Sequence, residues 1–185
     1  MNEDELAEGC RRNDNRAQRE LYETYGPRIL AVISRYIAEK DVAKDVFQDT
    51  FVRIFGSMGQ FSWRGNGSLK AWTERVAVNM SLNYLRDHKA EQLAVQVDDS
   101  FVLADEPTAE DVDGIDASVI EDFIAELPVG YRTVFNLFCI EGLNHRQIAE
   151  KLGINEKSSS SQLSRAKALL AKRIKEYLAK KIEES

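Results

Sequence analysis

One stretch of the sequence divides the chain more sharply than any other. Residues 90–122 contain eleven acidic side chains and neither a lysine nor an arginine, and their centre, "VDDSFVLADEPTAEDVDGID", has no sustained apolar period. Such a segment buries too little apolar surface to offset the entropy of ordering it. We therefore predict a flexible acidic linker over 90–117, with one lobe at 1–89 and another at 118–185.

Each lobe is too small to bury a large core, although 43% of the 185 residues are hydrophobic. Packed amphipathic helices suit pieces of this size, and neither lobe shows β-alternation of useful length. The predicted fold is therefore all-α, as two small helical domains joined by the linker. An enclosed catalytic pocket is not expected in such a fold.

The charge of the chain is distributed unevenly. The formal net charge of −6 is made up of +1 in residues 1–89, −11 in residues 90–122 and +4 in residues 123–185. Both lobes are mildly basic, so the overall acidity does not exclude a nucleic-acid partner.

The cysteines and the first residues indicate the compartment. Cys10 and Cys139 are too few for a disulfide framework or a zinc site, and we expect two reduced thiols with Cys139 packed in a core. The opening "MNEDELAEG" lacks the basic and apolar regions of a signal peptide. No apolar run approaches the roughly 20 residues that span a bilayer. These features predict a cytoplasmic protein without a metal, a cofactor or membrane insertion.

The first lobe is predicted to be helical throughout. Its second helix has apolar residues at spacings of three and four and is predicted to break at Gly26-Pro27, and Asp41 is placed to cap the third helix. A glycine-rich loop around Phe61 and Trp63 follows, and Ser68 is placed to cap a long last helix. The inner face of that helix is predicted to comprise Leu69, Trp72, Val76, Met80 and Tyr84 or Leu85.

A polar stripe lies opposite that inner face. Arg75, Asn79, Asn83 and Arg86 stand three or four residues apart and share one side of the helix. Asparagine can pair with two edge atoms of a base, and arginine can contact guanine or phosphate. A solvated helix face would show the same spacing, so both interpretations remain open at this point.

The second lobe contains the pattern of a helix-turn-helix in "LNHRQIAEKLGINEKSSSSQLSRAKALL". Asn144 and Gln147 have the spacing of a capping box, Gly153 is placed for a left-handed turn, and Asn155 can cap the next helix. A plain hairpin of two helices explains the apolar stripe equally well, but not the polarity of the second helix. The inner stripe comprises Leu143, Ile148, Ala149, Leu152, Ile154, Leu163 and Ala166.

A run of four serines opens the second helix of this motif. There, exposed backbone N–H groups favour anions, and short hydroxyl side chains allow close approach to phosphates and base edges. Basic residues follow on the outer faces, as expected of a surface that contacts phosphate. For the last three of them a solvated face is an equal alternative. These basic residues are Arg165, Lys167, Lys172, Arg173 and Lys175.

Two separate motifs resemble the extracytoplasmic-function (ECF) sigma factors, small bacterial initiation factors with a promoter-melting domain and a helix-turn-helix domain. The first lobe is similar in "DVAKDVFQDTFVRIF" and "GSLKAWTERVAVNMSLNYLRD", and the second in "LPVGYRTVFNLFCIEGLNHRQIAEKLGI" and "SQLSRAK". Together they span most of the chain outside 90–117. Members commonly have Lys or Arg in place of Ser160 and often Gly in place of Lys157, which shifts the expected DNA contacts toward Ser161, Ser164 and Arg165.

The resemblance implies a role for each surface. Residues implied for the −10 element as a separated strand are Phe61, Trp63, Ser68, Arg75, Asn79, Asn83 and Arg86. Those implied for the −35 element are Lys157, Ser158, Ser160, Ser161, Ser164 and Arg165. Those implied for docking on the β′ clamp helices of core RNA polymerase are Asp45, Gln48, Asp49 and Arg53.

Further implications concern the partners and the alternatives. The partners implied are core polymerase, promoter DNA and an anti-sigma factor, and the acidic linker resembles the segment that threads the RNA exit path. A stand-alone helix-turn-helix regulator is the alternative. An enzyme is disfavoured because the chain has only His88 and His145, no glycine-rich phosphate loop and no paired-carboxylate pocket.

Overall fold

A computed structural model of the chain describes residues 1–94 and 112–185. The elements in these residues are all helical, which confirms the all-α prediction. The helices are α1 (Glu3–Arg11), α2 (Asn15–Tyr36), α3 (Lys40–Ser57), a 3₁₀ turn (Met58–Gln60), α4 (Ser68–His88), α5 (Ala90–Leu93), α6 (Ala117–Ala125), α7 (Val129–Phe135), a π-helical turn (Asn136–Ile140), α8 (His145–Leu152) and α9 (Glu156–Glu183).

The chain forms two compact units, one at Met1–Leu85 and one at Arg86–Ser185. In the N-terminal unit, helices α1 to α3 pack through apolar side chains whose exposure is at or near zero. An edge-to-face group of aromatic rings, Tyr22, Phe47 and Phe51, joins α2 to α3. The fully buried large side chains of this unit include Leu21, Ile29, Ile33, Tyr36, Ile37, Ile54, Met58, Leu69 and Leu85.

The predicted break at Gly26-Pro27 is wrong, because α2 continues through Pro27. A proline inside a helix costs about 3 kcal/mol, so packing on both sides must offset that cost. Leu21 and Ile29 flank the proline and are completely buried, and a Cβ on Gly26 would lie 3.6 Å from the Phe47 ring. That distance is an ordinary van der Waals contact, so Gly26 lies directly against α3.

The two N-terminal caps predicted for α3 and α4 are also wrong. Helix α3 begins one residue before Asp41, after Glu39, which makes no side-chain cap bond. Ser68 is itself the first residue of α4. The carboxylate of Glu3 lies at that helix start instead, where it accepts hydrogen bonds from the backbone N–H groups of Gly67 (2.8 Å) and Leu69 (3.4 Å). A partner this distant in sequence leaves no local signal.

The inner face of α4 is rotated from the predicted one. Trp72 and its predicted companions Val76, Met80 and Tyr84 are only half-buried. Thr73 and Ser81 lie in the interior because their hydroxyls donate to carbonyls of the same helix, at 2.8 and 2.9 Å. A satisfied hydroxyl can be buried at low cost. The buried residues of α4 are Leu69, Thr73, Ala77, Val78, Ser81, Leu82 and Leu85.

The C-terminal unit confirms the residues predicted to start and end the helices of the helix-turn-helix. Asn144 accepts from the N–H of Gln147 at 2.9 Å, and the Gln147 side chain accepts from the N–H of Asn144 at 3.0 Å, which completes the capping box. Gly153 has φ of 67° and ends α8, where a left-handed backbone favours glycine. Asn155 caps α9 by accepting from the N–H of Ser158 at 2.7 Å.

The expectation for Cys139 is wrong, because Cys139 is exposed and Cys10 is the buried thiol. Cys139 lies in the π-helical turn, where the general tendency of free cysteines to be buried does not hold. Burial raises the pKa of Cys10 to about 11, so this thiol stays protonated at neutral pH.

Most of the predicted linker over 90–117 lies outside the described residues. Its first residues differ from the expectation, since Ala90–Leu93 forms a helical turn in which Leu93 is 2% exposed. The last residue of the predicted linker begins α6. In the described ranges 1–94 and 112–185, no helix combines the length and apolar character needed to cross a bilayer.

Candidate nucleic-acid interface

The polar stripe of α4, called here the α4 face, comprises Arg75, Asn79, Asn83 and Arg86. All four side chains are exposed, on the side of the helix away from its buried residues. The guanidinium of Arg86, which belongs to the C-terminal unit, donates to the carbonyl of Lys151 at 3.0 Å. The fold thus gives the first three residues the shared outer face that their spacing predicts.

The loop from Phe61 to Ser68 presents one aromatic ring and buries the other. Trp63 is 49% exposed, which suits a stacking surface. Phe61 is 4% exposed and packs on Trp72, with 5.5 Å between the ring centroids. The expectation that the Phe61 ring is available for stacking is therefore wrong. Ser68 is half-buried, and its hydroxyl oxygen accepts from the N–H of Arg64 at 3.2 Å.

The serine run divides between the interior and the surface of α9, the second helix of the helix-turn-helix and called here the recognition helix. Ser160 is exposed, Ser158 and Ser161 are half-buried, and Ser159 is completely buried. The buried hydroxyl lies 2.9 Å from Nδ1 of His145, at the start of α8. The run therefore contains one buried contact between helices, one exposed serine and two half-buried serines.

Two buried polar residues of the recognition helix escaped the sequence reasoning. Ser159 and Gln162 are both 0% exposed, and Gln162 Nε2 donates to the carbonyl of Leu93 (3.0 Å) and to the hydroxyl of Ser158 (3.2 Å). The available signal was helical spacing, since Ser159 lies four residues before the buried Leu163. A serine in that register continues the inner stripe.

The basic and polar groups around these serines have different surroundings. Lys157 is exposed, whereas Ser164 and Arg165 are half-buried. Farther along the helix, Arg173 pairs with the carboxylates of Glu126 and Glu176 and lies 5.4 Å from the centre of the Phe123 ring. That arginine is therefore engaged within its own unit, an outcome that neither a phosphate contact nor a solvated helix face had predicted.

The outer side of α3, called here the α3 face, comprises Asp45, Gln48, Asp49 and Arg53. All four are exposed. Val52 lies among them and is 73% exposed, a residue that the sequence reasoning did not select. The sequence signal for Val52 was that this valine falls outside the buried stripe of the helix. An exposed apolar residue ringed by polar ones is typical of a protein-binding surface.

Over residues 1–94 and 112–185, no group of three or more His, Cys, Asp or Glu side chains is arranged to hold an ion. His145 stacks on Phe138 with 4.9 Å between centroids and contacts Ser159. Its contacts join helices to one another.

Two family models match the chain, one largely in the N-terminal unit and one within the C-terminal unit. The model described as Sigma-70 region 2 matches residues 21–91, and the model described as Sigma-70, region 4 matches residues 118–170. The first therefore includes the α3 and α4 faces, and the second includes α8 and the first half of α9.

Curated relatives match along nearly the whole chain. The RNA polymerase sigma-H factor of Pseudomonas aeruginosa is 26% identical over 184 residues, covering 94% of this chain and 94% of that protein. The ECF RNA polymerase sigma-E factor of Haemophilus influenzae is 26% identical, covering 91% and 93%. The ECF RNA polymerase sigma factor SigM of Bacillus subtilis is 27% identical, covering 82% and 91%.

Proposed function

Because this chain belongs to the sigma-70 family as an ECF RNA polymerase sigma factor, we propose which of its surfaces reads each promoter element and which docks on the core enzyme. The observation that supports the proposal is the order of the two matches along the chain, region 2 at residues 21–91 and region 4 at residues 118–170. We take residues 1–89 and 118–185 as the working domains, joined by 90–117. Sigma factors are regulatory rather than catalytic, so the surfaces have binding roles.

We assign the −10 element to the α4 face and the Phe61–Ser68 loop. Asn79 and Asn83 are exposed one turn apart, and each well-formed base contact discriminates by about 1–3 kcal/mol. Trp63 offers the stacking surface, at about 1–3 kcal/mol per base. Phe61 supports this loop from inside through Trp72, while Ser68 fixes the backbone at its end. Arg75 completes the face as a phosphate or guanine contact. Arg86, which donates to the carbonyl of Lys151 in its own unit, is proposed as a separate phosphate contact.

We assign the −35 element to the outward groups at the start of the recognition helix. Lys157 and Ser160 are the exposed ones, and Ser161 lies one residue farther along. The N-terminal residues of such a helix are those that enter the major groove. Ser158, Ser164 and Arg165 are half-buried and flank the same surface. Ser159 faces inward and is not part of the assignment.

We assign core-polymerase docking, on the β′ clamp helices, to the α3 face together with Val52. The mixture of Asp45, Gln48, Asp49 and Arg53 around an exposed valine supplies polar specificity about an apolar centre. Exposed apolar groups on a regulatory protein also suit an inhibitor. We therefore propose that an anti-sigma factor covers this face and so competes with polymerase.

Charge explains why the chain needs polymerase. With a net charge of −6, concentrated in residues 90–122, the isolated protein is expected to bind DNA weakly. We propose that it acts in the cytoplasm, where polymerase holds its two mildly basic domains against the promoter. The acidic linker then occupies basic surface along the path of the emerging RNA.

Run-off transcription with core polymerase tests the −10 assignment. Asn79→Ala and Asn83→Ala should each lower the transcript yield about tenfold, as expected for one lost base contact, with core affinity unchanged. Asn15→Ala makes the same chemical change at an exposed position on α2 and should leave the yield unchanged. Equal yields for all three variants would refute the assignment.

Binding to core polymerase tests the docking face. Val52→Asp should weaken binding about tenfold, whereas Ile182→Asp, which alters an equally exposed apolar residue of α9 (75% against 73%), should not. Equal effects of the two variants would refute the docking role. Tight sequence-specific DNA binding by the chain without polymerase would instead favour a stand-alone helix-turn-helix regulator.

A further inference from the structure

Two charged residues of α1 reach the backbone of the Phe61–Ser68 loop, one near each end. At the start, Arg11 Nη2 donates to the carbonyl oxygen of Phe61 at 3.1 Å. At the end, Glu3 Oε2 accepts from the N–H groups of Gly67 and Leu69, at 2.8 and 3.4 Å. These contacts join positions 50 to 66 residues apart in sequence. Because they are made to backbone atoms, they fix the path of the loop whatever its side chains are.

Both of these α1 side chains are themselves held in place. The other carboxylate oxygen of Glu3 accepts from the hydroxyl of Tyr25, on α2, at 2.9 Å. Burial and then the bond to Glu3 raise the pKa of Tyr25 to about 12, so the phenol keeps its proton and remains a donor at neutral pH. Arg11 forms an ion pair with Glu8, one turn earlier on α1. A positioning group acts well only when its own rotamer is fixed by such contacts.

Between the two anchors the loop presents its exposed apex. Ser62, Trp63, Arg64 and Asn66 are exposed, and Gly65 and Gly67 have φ of 108° and 86°. Glycine restricts the backbone less than any other residue, so a loop with two glycines has many conformations to lose when it folds. Long-range anchors are therefore needed to select one of those conformations. The capping carboxylate of Glu3 also satisfies the N–H groups at the start of α4, where a negative charge is favoured.

We propose that α1 is the frame of the −10-reading loop and that Glu3 and Arg11 are positioning residues for −10 recognition, an inference that rests on the proposed function of the loop. Neither residue touches DNA in this scheme. They order the loop when the protein folds. Binding of a base then does not carry the entropy cost of ordering the loop. Preorganisation of this kind increases affinity without adding a contact.

The first experiment uses the free full-length chain and requires no promoter. Glu3→Ala should make the backbone amides of Gly67 and Leu69 exchange with solvent about tenfold faster, which corresponds to about 1.4 kcal/mol. Asp4→Ala is the matched control, since Asp4 is an exposed acid in the same helical turn. Equal exchange in the two variants would overturn the proposal.

A second free-chain measurement follows the apex through Trp63. In a Trp72→Phe background this is the remaining tryptophan of the chain. Arg11→Gln should lower its fluorescence anisotropy, and Arg12→Gln should not. Both arginines pair with Glu8, but Arg11 is the one that reaches the Phe61 carbonyl. Identical anisotropy in the two variants would count against the role of Arg11.

The last experiment asks whether loop order matters to promoter reading. With holoenzyme on a set of −10 variants, Glu3→Ala should reduce the discrimination among bases about tenfold, with core affinity unchanged. Glu3→Gln, which keeps one carbonyl acceptor, should recover part of the loss. Unchanged discrimination despite faster amide exchange would leave Glu3 a purely structural residue and overturn the proposal. If the wild-type holoenzyme itself showed no −10 dependence, the assignment of the loop to the −10 element would fail instead. The amide exchange would still measure whether α1 fixes the loop.

Discussion

The division of the serine run into buried and exposed members predicts opposite consequences for two neighbouring substitutions. Ser159→Ala removes a hydroxyl that is completely buried and lies 2.9 Å from Nδ1 of His145. Ser160→Ala removes an exposed one. The first change should lower stability, and the second should lower recognition of the −35 element.

The loss of stability in Ser159→Ala follows from the His145 imidazole, which loses its hydrogen-bond partner. A buried polar partner left without a hydrogen bond costs about 1–3 kcal/mol. His145 is half-buried and can recover part of this from water, so we expect about 1 kcal/mol. In a domain of this size that lowers the midpoint of thermal unfolding by about 4–8 °C. Ser160→Ala should alter the free energy of unfolding by less than about 0.5 kcal/mol.

Calorimetry of the full chain measures the stability, and transcription from promoters with an intact or scrambled −35 element measures the recognition. Ser160→Ala should reduce the advantage of the intact element about threefold to tenfold, the value of one hydrogen bond. Ser159→Ala, assayed well below its unfolding midpoint, should retain that advantage. Wild-type stability of Ser159→Ala combined with a larger loss of −35 dependence would refute this account, because the hydroxyl would then face DNA.

Three further predictions address packing, capping and ionisation. Gly130→Ala would place a Cβ 2.4 Å from a side-chain oxygen of the recognition helix and should lower the free energy of unfolding in urea by about 1–3 kcal/mol. Gly59→Ala, whose Cβ would meet nothing within 4 Å, is the control, and equal values would contradict the packing. Asn144→Ala removes the capping box and should lower the free energy of unfolding in urea by about 1 kcal/mol. An unchanged urea midpoint would count against a stabilising role of this capping box. Burial raises the pKa of Cys10 from 9.0 to about 11, so the unfolded chain loses that proton first, and stability should be constant below pH 9 and decline toward pH 11. Cys10→Ala should flatten this decline, and exposed Cys139 should react with iodoacetamide before Cys10 in the folded protein.

Local signals were sufficient where each residue's partner lies a few positions away. The capping box of Asn144 and Gln147, the left-handed Gly153 and the cap at Asn155 were all predicted and confirmed. Each is fixed by hydrogen bonds within one turn of helix, so sequence spacing contains the whole interaction. The DNA contacts assigned to the exposed residues remain predictions.

Local signals failed where a distant partner decides the outcome. Pro27 was expected to end a helix, yet burial of the residues on either side keeps α2 continuous. Ser68 was expected to cap α4, but Glu3 reaches that position from another helix. Phe61 was expected to stack on a base and packs on Trp72. In each case the local preference is worth at most a few kcal/mol and is outweighed by contacts distant in sequence.

The sequence by itself determined the helical class, the resemblance to sigma factors and the polar runs to which the proposed DNA contacts are assigned, because apolar spacing, caps and charge segregation are properties of neighbouring residues. Only the tertiary structure decided which member of each polar run faces outward. It placed Ser159 inside and Ser160 outside, and it joined Glu3 and Arg11 to loop residues 64 and 50 positions away. The physical reason is that burial and long-range hydrogen bonds arise from packing between helices, which spacing along one helix does not specify.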